Sequence, residues 1–121
     1  MAFRITEQEL DGITVVSIEG QIVLGEESGA FREKIEGLLS AGKKSIVLNL
    51  ADVSYIDSAG VGTLAASFNR ARSHGATLKL ANLGSRFRET LQVTRLLTVF
   101  DTYDSEAAAI QSFAKSRHHY A

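Results

Sequence analysis

Phe3 and Ile5 alternate with polar neighbours, and the β-branched run Ile13-Thr14-Val15-Val16-Ser17-Ile18 follows the turn signal Leu10-Asp11-Gly12. Alternation on both sides of an Asp-Gly pair predicts an antiparallel hairpin, because that pair accepts the backbone of a tight turn. After Gly20 comes a mixed connection, Gln21-Ile22-Val23-Leu24-Gly25, and then Phe31, Ile35, Leu38 and Leu39 recur at helical spacing up to Ala41-Gly42. The glycine suits the position just past a helix end. The short apolar run Ser45-Ile46-Val47-Leu48-Asn49-Leu50 reads as a buried central strand. From Ser58 a longer helix presents Val61, Leu64, Ala65, Phe68 and Ala71 on one face and Asn69, Arg70, Arg72 and Ser73 outward, with Gly75 as its stop. Thr77 to Ala81 predicts a strand, Ser85 to about Thr94 a short helix presenting Phe87 and Leu91, and Val99-Phe100 a last edge strand. Asp104 is placed to cap a final helix, on which Ala107, Ile110, Phe113 and Ala114 share a face.

Strands that alternate with helices after an opening hairpin predict an α/β fold: a mixed sheet of about four or five strands covered by about four helices. The chain of 121 residues is the length of one domain, expected over residues 1–116 with a frayed tail at 117–121. Thirteen basic side chains balance 14 acidic ones, which removes any broad electrostatic footprint for nucleic acid. Cysteine is absent, so disulfides and thiolate metal sites are excluded. The start lacks the apolar stretch of a secretory signal, and no later run approaches the roughly 20 apolar residues of a membrane span. A cytoplasmic protein is the expectation.

The chemistry concentrates at Asp57-Ser58-Ala59-Gly60-Val61-Gly62, where strand gives way to helix. A helix start leaves backbone N–H groups unpaired and carries the positive end of the helix dipole, so a hydroxyl there can cap the helix or carry a phosphoryl group. Ser58 and Asp57 are equal candidates for the cap. Gly60 and Gly62 each weaken a helix by up to about 1 kcal/mol relative to alanine, so bare backbone is wanted there, either for a partner's approach or for close internal packing.

Catalytic readings of the same residues fail. Gly60-Val61-Gly62-Thr63-Leu64-Ala65 fits a loose dinucleotide-binding pattern, yet no Asp or Glu lies between Ser58 and Arg88 to hold a ribose. No phosphate-binding P-loop occurs. His74 lies on the same helix roughly 24 Å from Ser58, too far to act as its base, and is expected at the solvated helix end. His118 and His119, adjacent in the tail, make a poor metal site. The residues imply neither a catalytic constellation nor a cofactor nor a metal. Arg70 and Arg72, with Glu26 and Glu27 placed before the first helix, could rim a partner site, although charges on such faces usually serve solvation.

The junction resembles that of the STAS domain family, specifically its bacterial anti-sigma factor antagonists. The likeness extends to the opening hairpin, to Glu19-Gly20-Gln21-Ile22-Val23, to Asn49-Leu50-Ala51-Asp52-Val53-Ser54-Tyr55-Ile56 and to Phe100-Asp101-Thr102-Tyr103-Asp104-Ser105-Glu106-Ala107, and so covers nearly the whole chain. The resemblance implies that Ser58 is phosphorylated by a partner that is both anti-sigma factor and serine kinase, and that a phosphatase reverses the modification. It further implies that the unmodified form binds the anti-sigma factor and frees the sigma factor, with Asp57 through Gly62 as the partner-binding segment. Ala59 stands where many members have a second serine, which leaves Ser58 as the acceptor. Two other functions stay open at this point: a STAS adaptor or scaffold without phosphate cycling, in a stress-signalling complex or on a lipid-transport ATPase, and a nucleotide-binding domain.

Overall fold

Asp11 and Gly12 take φ angles of 53° and 79°, the pair of positive values a two-residue hairpin turn requires, and they join β1 (Arg4–Leu10) to β2 (Ile13–Ile22) antiparallel. In this computed structural model, which describes residues 3–96 and 100–118, β2 is followed by α1 (Glu26–Ser40), β3 (Ser45–Ile56), α2 (Ser58–Ser73), β4 (Thr77–Ala81), α3 (Ser85–Val93), β5 (Asp101–Tyr103) and α4 (Glu106–His118). The strands lie in the order β1-β2-β3-β4-β5, and all pairs after the hairpin are parallel. The expected mixed sheet with its opening hairpin and four helices is thus present.

Adjacent strand residues face opposite sides of a sheet, and the core divides accordingly. Val16, Ile18, Ile46, Leu48, Leu50, Leu78 and Leu80 join Phe31, Ile35, Val61, Leu64, Phe87 and Leu91 of the first three helices in the main core. Val15, Val47 and Ala81 point the other way and meet Ala109 and Phe113 of α4 in a smaller one. There the buried Lys79 places Nζ 4.2 Å from the centre of the Phe113 ring and donates to Ser112 Oγ at 2.6 Å. On α2 the predicted face holds, with Val61, Leu64 and Ala71 buried and Phe68 set edge-on to Phe100, ring centroids 5.1 Å apart.

Several boundaries differ from expectation. Gly20, at φ 101°, sits at a bulge that lets β2 run on through Ile22, where a connection was expected. β3 continues past Leu50 to Ile56, since Asp52, Val53, Tyr55 and Ile56 pair with Glu19, Gly20, Gln21 and Ile22. β4 accompanies β3 as far as Asn49 and β1 accompanies β2 as far as Glu19, beyond which β2 and β3 form a two-stranded ribbon. Glu26 and Glu27 lie within the first turn of α1, not before it. The edge strand is Asp101–Tyr103; Phe100 is a buried residue just ahead of it, and Val99 lies outside the described residues. Ser105, not Asp104, supplies the bond to the start of α4, its Oγ accepting from the Ala108 N–H at 3.0 Å. Ala109 packs on the sheet while Ala107 is exposed, and the α4 backbone remains helical through His118.

Candidate functional site

The β2–β3 ribbon delivers two helix starts side by side. From Ile22 the chain passes through Val23, Leu24 and Gly25 into α1, and from Ile56 through Asp57 into α2. The Asp57 N–H donates to the Ile22 carbonyl at 3.3 Å, which continues the pairing of the two strands up to the helix. At the α1 start, Ser28 returns both its N–H and its hydroxyl to the Val23 carbonyl, at 3.3 and 2.7 Å, and closes the loop. Gly25 precedes the helix at φ 113°, and Glu26 and Glu27 complement the positive end of the α1 dipole.

Of the two capping candidates, Asp57 is the cap. Its Oδ1 accepts from the Gly60 N–H at 2.7 Å, while its Oδ2 accepts from the Leu24 N–H at 3.1 Å. One carboxylate therefore caps the start of α2 and fastens the neighbouring loop. Ser58 is the first helical residue; it is exposed, and its hydroxyl has no hydrogen-bond partner among the described residues. The oxygen is free for chemistry that a cap could not perform.

The two glycines of this turn have different reasons to be there. A Cβ on Gly60 would lie 2.1 Å from the Ile22 carbonyl oxygen and 2.7 Å from Ile56 Cγ1, so the helix can sit on the ribbon only without a side chain at that position. A Cβ on Gly62 would meet nothing within 4 Å, and this glycine faces solvent. Gly60 and Val61 are buried and support the turn from beneath, whereas Ser58, Ala59 and Gly62 reach the surface to differing degrees. A shallow groove of about 440 Å³ runs beside them, lined by Leu24, Gly29, Arg32, Ala59, Gly62 and Ala66. Leu24 is 78 % exposed.

The charged residues considered as a rim are split. Glu26 and Glu27 are at the site, but Arg70 lies twelve residues along α2 from Ser58, about 18 Å at 1.5 Å per residue, and pairs with Glu36 of α1 at 2.7 Å. Arg70 ties the two helices together at their far ends. His74 follows the last residue of α2, with Nδ1 3.1 Å from the Arg70 carbonyl oxygen, well away from Ser58. The His118 side chain and His119 lie outside the described residues, among which no three His, Cys, Asp or Glu residues cluster as metal ligands. Among the described residues no helix is long and apolar enough to cross a membrane. The Asp57–Leu24 bond was not anticipated from the sequence, where no signal links residues 33 positions apart.

Residues 4–109 match the STAS domain family. The anti-sigma-B factor antagonist of Bacillus subtilis is 31 % identical over 96 residues, which cover 79 % of this chain and 86 % of that protein. The fold is shared with an anti-sigma factor antagonist from Mycobacterium paratuberculosis at a TM-score of 0.79 and 20 % identity, over 92 % of this chain and 93 % of that one. It is also shared with the Bacillus cell fate determinant SpoIIAA in its phosphorylated form, at a TM-score of 0.68 and 20 % identity over 92 % of this chain and 99 % of that one.

Proposed function

The chain belongs to the STAS domain family, and from that premise we propose that it is an anti-sigma factor antagonist whose partner surface is switched at Ser58. The observation that carries this reading is the division of labour at the α2 start: Asp57 caps the helix, and the Ser58 hydroxyl stands exposed and uncommitted beside an open glycine and a groove. Unmodified, this surface binds an anti-sigma factor that is also a serine kinase, and the sigma factor is set free. Phosphorylation of Ser58 by that kinase ends the complex, and a phosphatase restores it. The protein acts by binding, not by catalysis.

A phosphoryl group adds up to two negative charges and three acceptor oxygens. At a helix N-terminus the dipole and the free N–H groups accommodate such charge with a favourable contribution of roughly 0.3–1 kcal/mol, so the fold survives. At the interface the balance is reversed. A charge pressed uncompensated against a partner costs on the order of 2–5 kcal/mol, or about one and a half to three and a half decades of affinity. That difference switches the complex without a change of fold.

The test uses affinity capture from native lysate with wild type, Ser58→Ala and Ser58→Glu as baits, followed by mass spectrometry. The expected outcome is an anti-sigma factor kinase retained by wild type and Ser58→Ala, lost with Ser58→Glu, and phosphate on Ser58 of the wild type. Equal capture of a scaffold or transporter component by all three, with Ser58 unmodified, overturns the switch in favour of the adaptor function.

A further inference from the structure

We propose that Asp57 is a positioning residue that fastens Leu24 beside Ser58, and that Leu24 is the apolar anchor of the partner surface. This rests on the reading of the chain as an antagonist that docks an anti-sigma factor kinase at Ser58. Leu24 comes from a different loop than Ser58, 34 positions earlier in the chain. It enters the site because the second carboxylate oxygen of Asp57 holds its N–H at 3.1 Å while the first holds Gly60 at 2.7 Å. Leu24 is 78 % exposed and lines the groove together with Ala59 and Gly62, neither of which carries more than a methyl group into it. An isolated exposed leucine needs no explanation, but one whose backbone is fixed next to a modifiable hydroxyl presents a pre-ordered apolar knob. Glu26 and Glu27 follow it immediately in the first turn of α1. Arg32, exposed further along α1, lines the same groove, so the occupant that fits is a hollow on the kinase that is apolar at its centre, basic towards the start of α1 and acidic where it meets Arg32.

The arrangement also explains why a carboxylate serves better than the other capping side chains. Ser, Thr and Asn end a helix about as well as Asp, yet each offers a single oxygen acceptor. Here Gly60 and Leu24 donate to different oxygens, and of the capping side chains only the carboxylate supplies two. Asp57→Asn therefore separates the two roles, keeping an oxygen for one N–H and turning an amide donor towards the other.

The experiment measures binding of the purified anti-sigma factor kinase from the same organism to wild type, Leu24→Ala, Asp57→Asn and the double variant, together with amide hydrogen exchange at Leu24 and Gly60. Leu24→Ala is expected to bind about tenfold more weakly with an unchanged melting curve, as for removal of an interface anchor. Asp57→Asn is expected to retain protection at Gly60, to lose it at Leu24, and to weaken binding by a similar factor. The double variant is then expected to bind no worse than the weaker single one, because both changes remove the same contact. Wild-type affinity in Leu24→Ala overturns the anchor, and multiplying losses in the double variant, or unchanged Leu24 protection in Asp57→Asn, overturn the positioning role. A kinase that fails to bind even the wild type overturns the antagonist reading itself and the anchor with it, while the exchange data still decide whether Asp57 holds Leu24.

Discussion

The two ends of the β2–β3 pair are held by different physics. At the hairpin end, Glu9 meets Lys43 at 2.8 Å in an ion pair open to solvent. At the other end the strands run on as a ribbon, and their junction with α2 leaves no space for one carbon atom at Gly60. Exposed pairs of this kind contribute little and are screened by salt, whereas a collision with backbone cannot be relieved by a rotamer change. The rigid end is the one that carries Ser58. In the proposed switch, a surface that binds or refuses a partner according to one phosphate gains from a frame that does not move when the charge arrives. The contrast recurs within a single turn of α2, whose inner side is filled by Gly60 and Val61 and whose outer side is left bare at Gly62.

The largest effect is expected where the frame is tightest. In Gly60→Ala the new methyl carbon must displace either the Ile22 carbonyl, 2.1 Å away, or the α2 start itself. Overpacking against side chains typically destabilises by 1–3 kcal/mol, and here the obstacle is backbone, so a loss of about 3 kcal/mol or more is expected in a urea melt. Wild-type stability in this variant would show that the ribbon end yields, and the contrast between the two ends would be lost. Gly62→Ala should act in the opposite direction. With open space around the Cβ and helical backbone, alanine should stabilise the domain by about 0.5–1 kcal/mol, visible as a higher melting temperature, while weakening capture of the kinase. A gain in stability with undiminished capture would mean that the outer side does not need bare backbone.

Much of this frame was legible in local pattern. The Asp11-Gly12 pair announced the hairpin, and the spacing of Val61, Leu64 and Ala71 announced the inward face of α2, because period and turn chemistry are properties of neighbouring residues. The ribbon was not legible. Asp52, Ser54 and Tyr55 are exposed and break the apolar pattern of β3; Asp52 and Tyr55 are held as strand by pairing with β2, and Ser54 is the extra residue where the register shifts opposite Gly20 and Gln21. The family resemblance pointed to Ser58, and the glycines suggested a close approach, but which glycine packs inward depends on Ile22, distant in sequence. The same holds for the second oxygen of Asp57. Lys79 escaped for a related reason: a lysine in a strand is expected to reach water, and its ammonium finds aromatic rings only where Tyr103 of β5 and Phe113 of α4 come together around it.

The smallest expected effect sharpens the comparison from the hairpin end. Glu9 accepts from Lys43 Nζ at 2.8 Å and from the Thr14 hydroxyl at 2.7 Å, and these bonds, that to Lys43 foremost, hold its carboxyl below the usual value. The hydrogen bond to Glu9, followed by its charge, raises Lys43 in turn. A depressed carboxyl contributes stability that is complete above its unfolded pKa, about 4.3, and is lost as pH falls through the lower folded value. A raised lysine contributes below its unfolded pKa, about 10.4, and loses that contribution as pH climbs through the higher folded value. The pair is therefore fully effective across neutral pH. Glu9→Gln should lower stability at pH 7 by less than either glycine substitution changes it, the deficit should shrink as acid protonates Glu9 in the wild type, and added salt should shrink it further. Amide protection at Leu24 should not change under any of these conditions, because the Asp57 carboxylate that holds it sits at the opposite end of the strands. If titrating Glu9 did loosen Leu24, the two ends would be mechanically coupled, and the rigidity assigned to the Ser58 frame would belong to the whole β2–β3 pair.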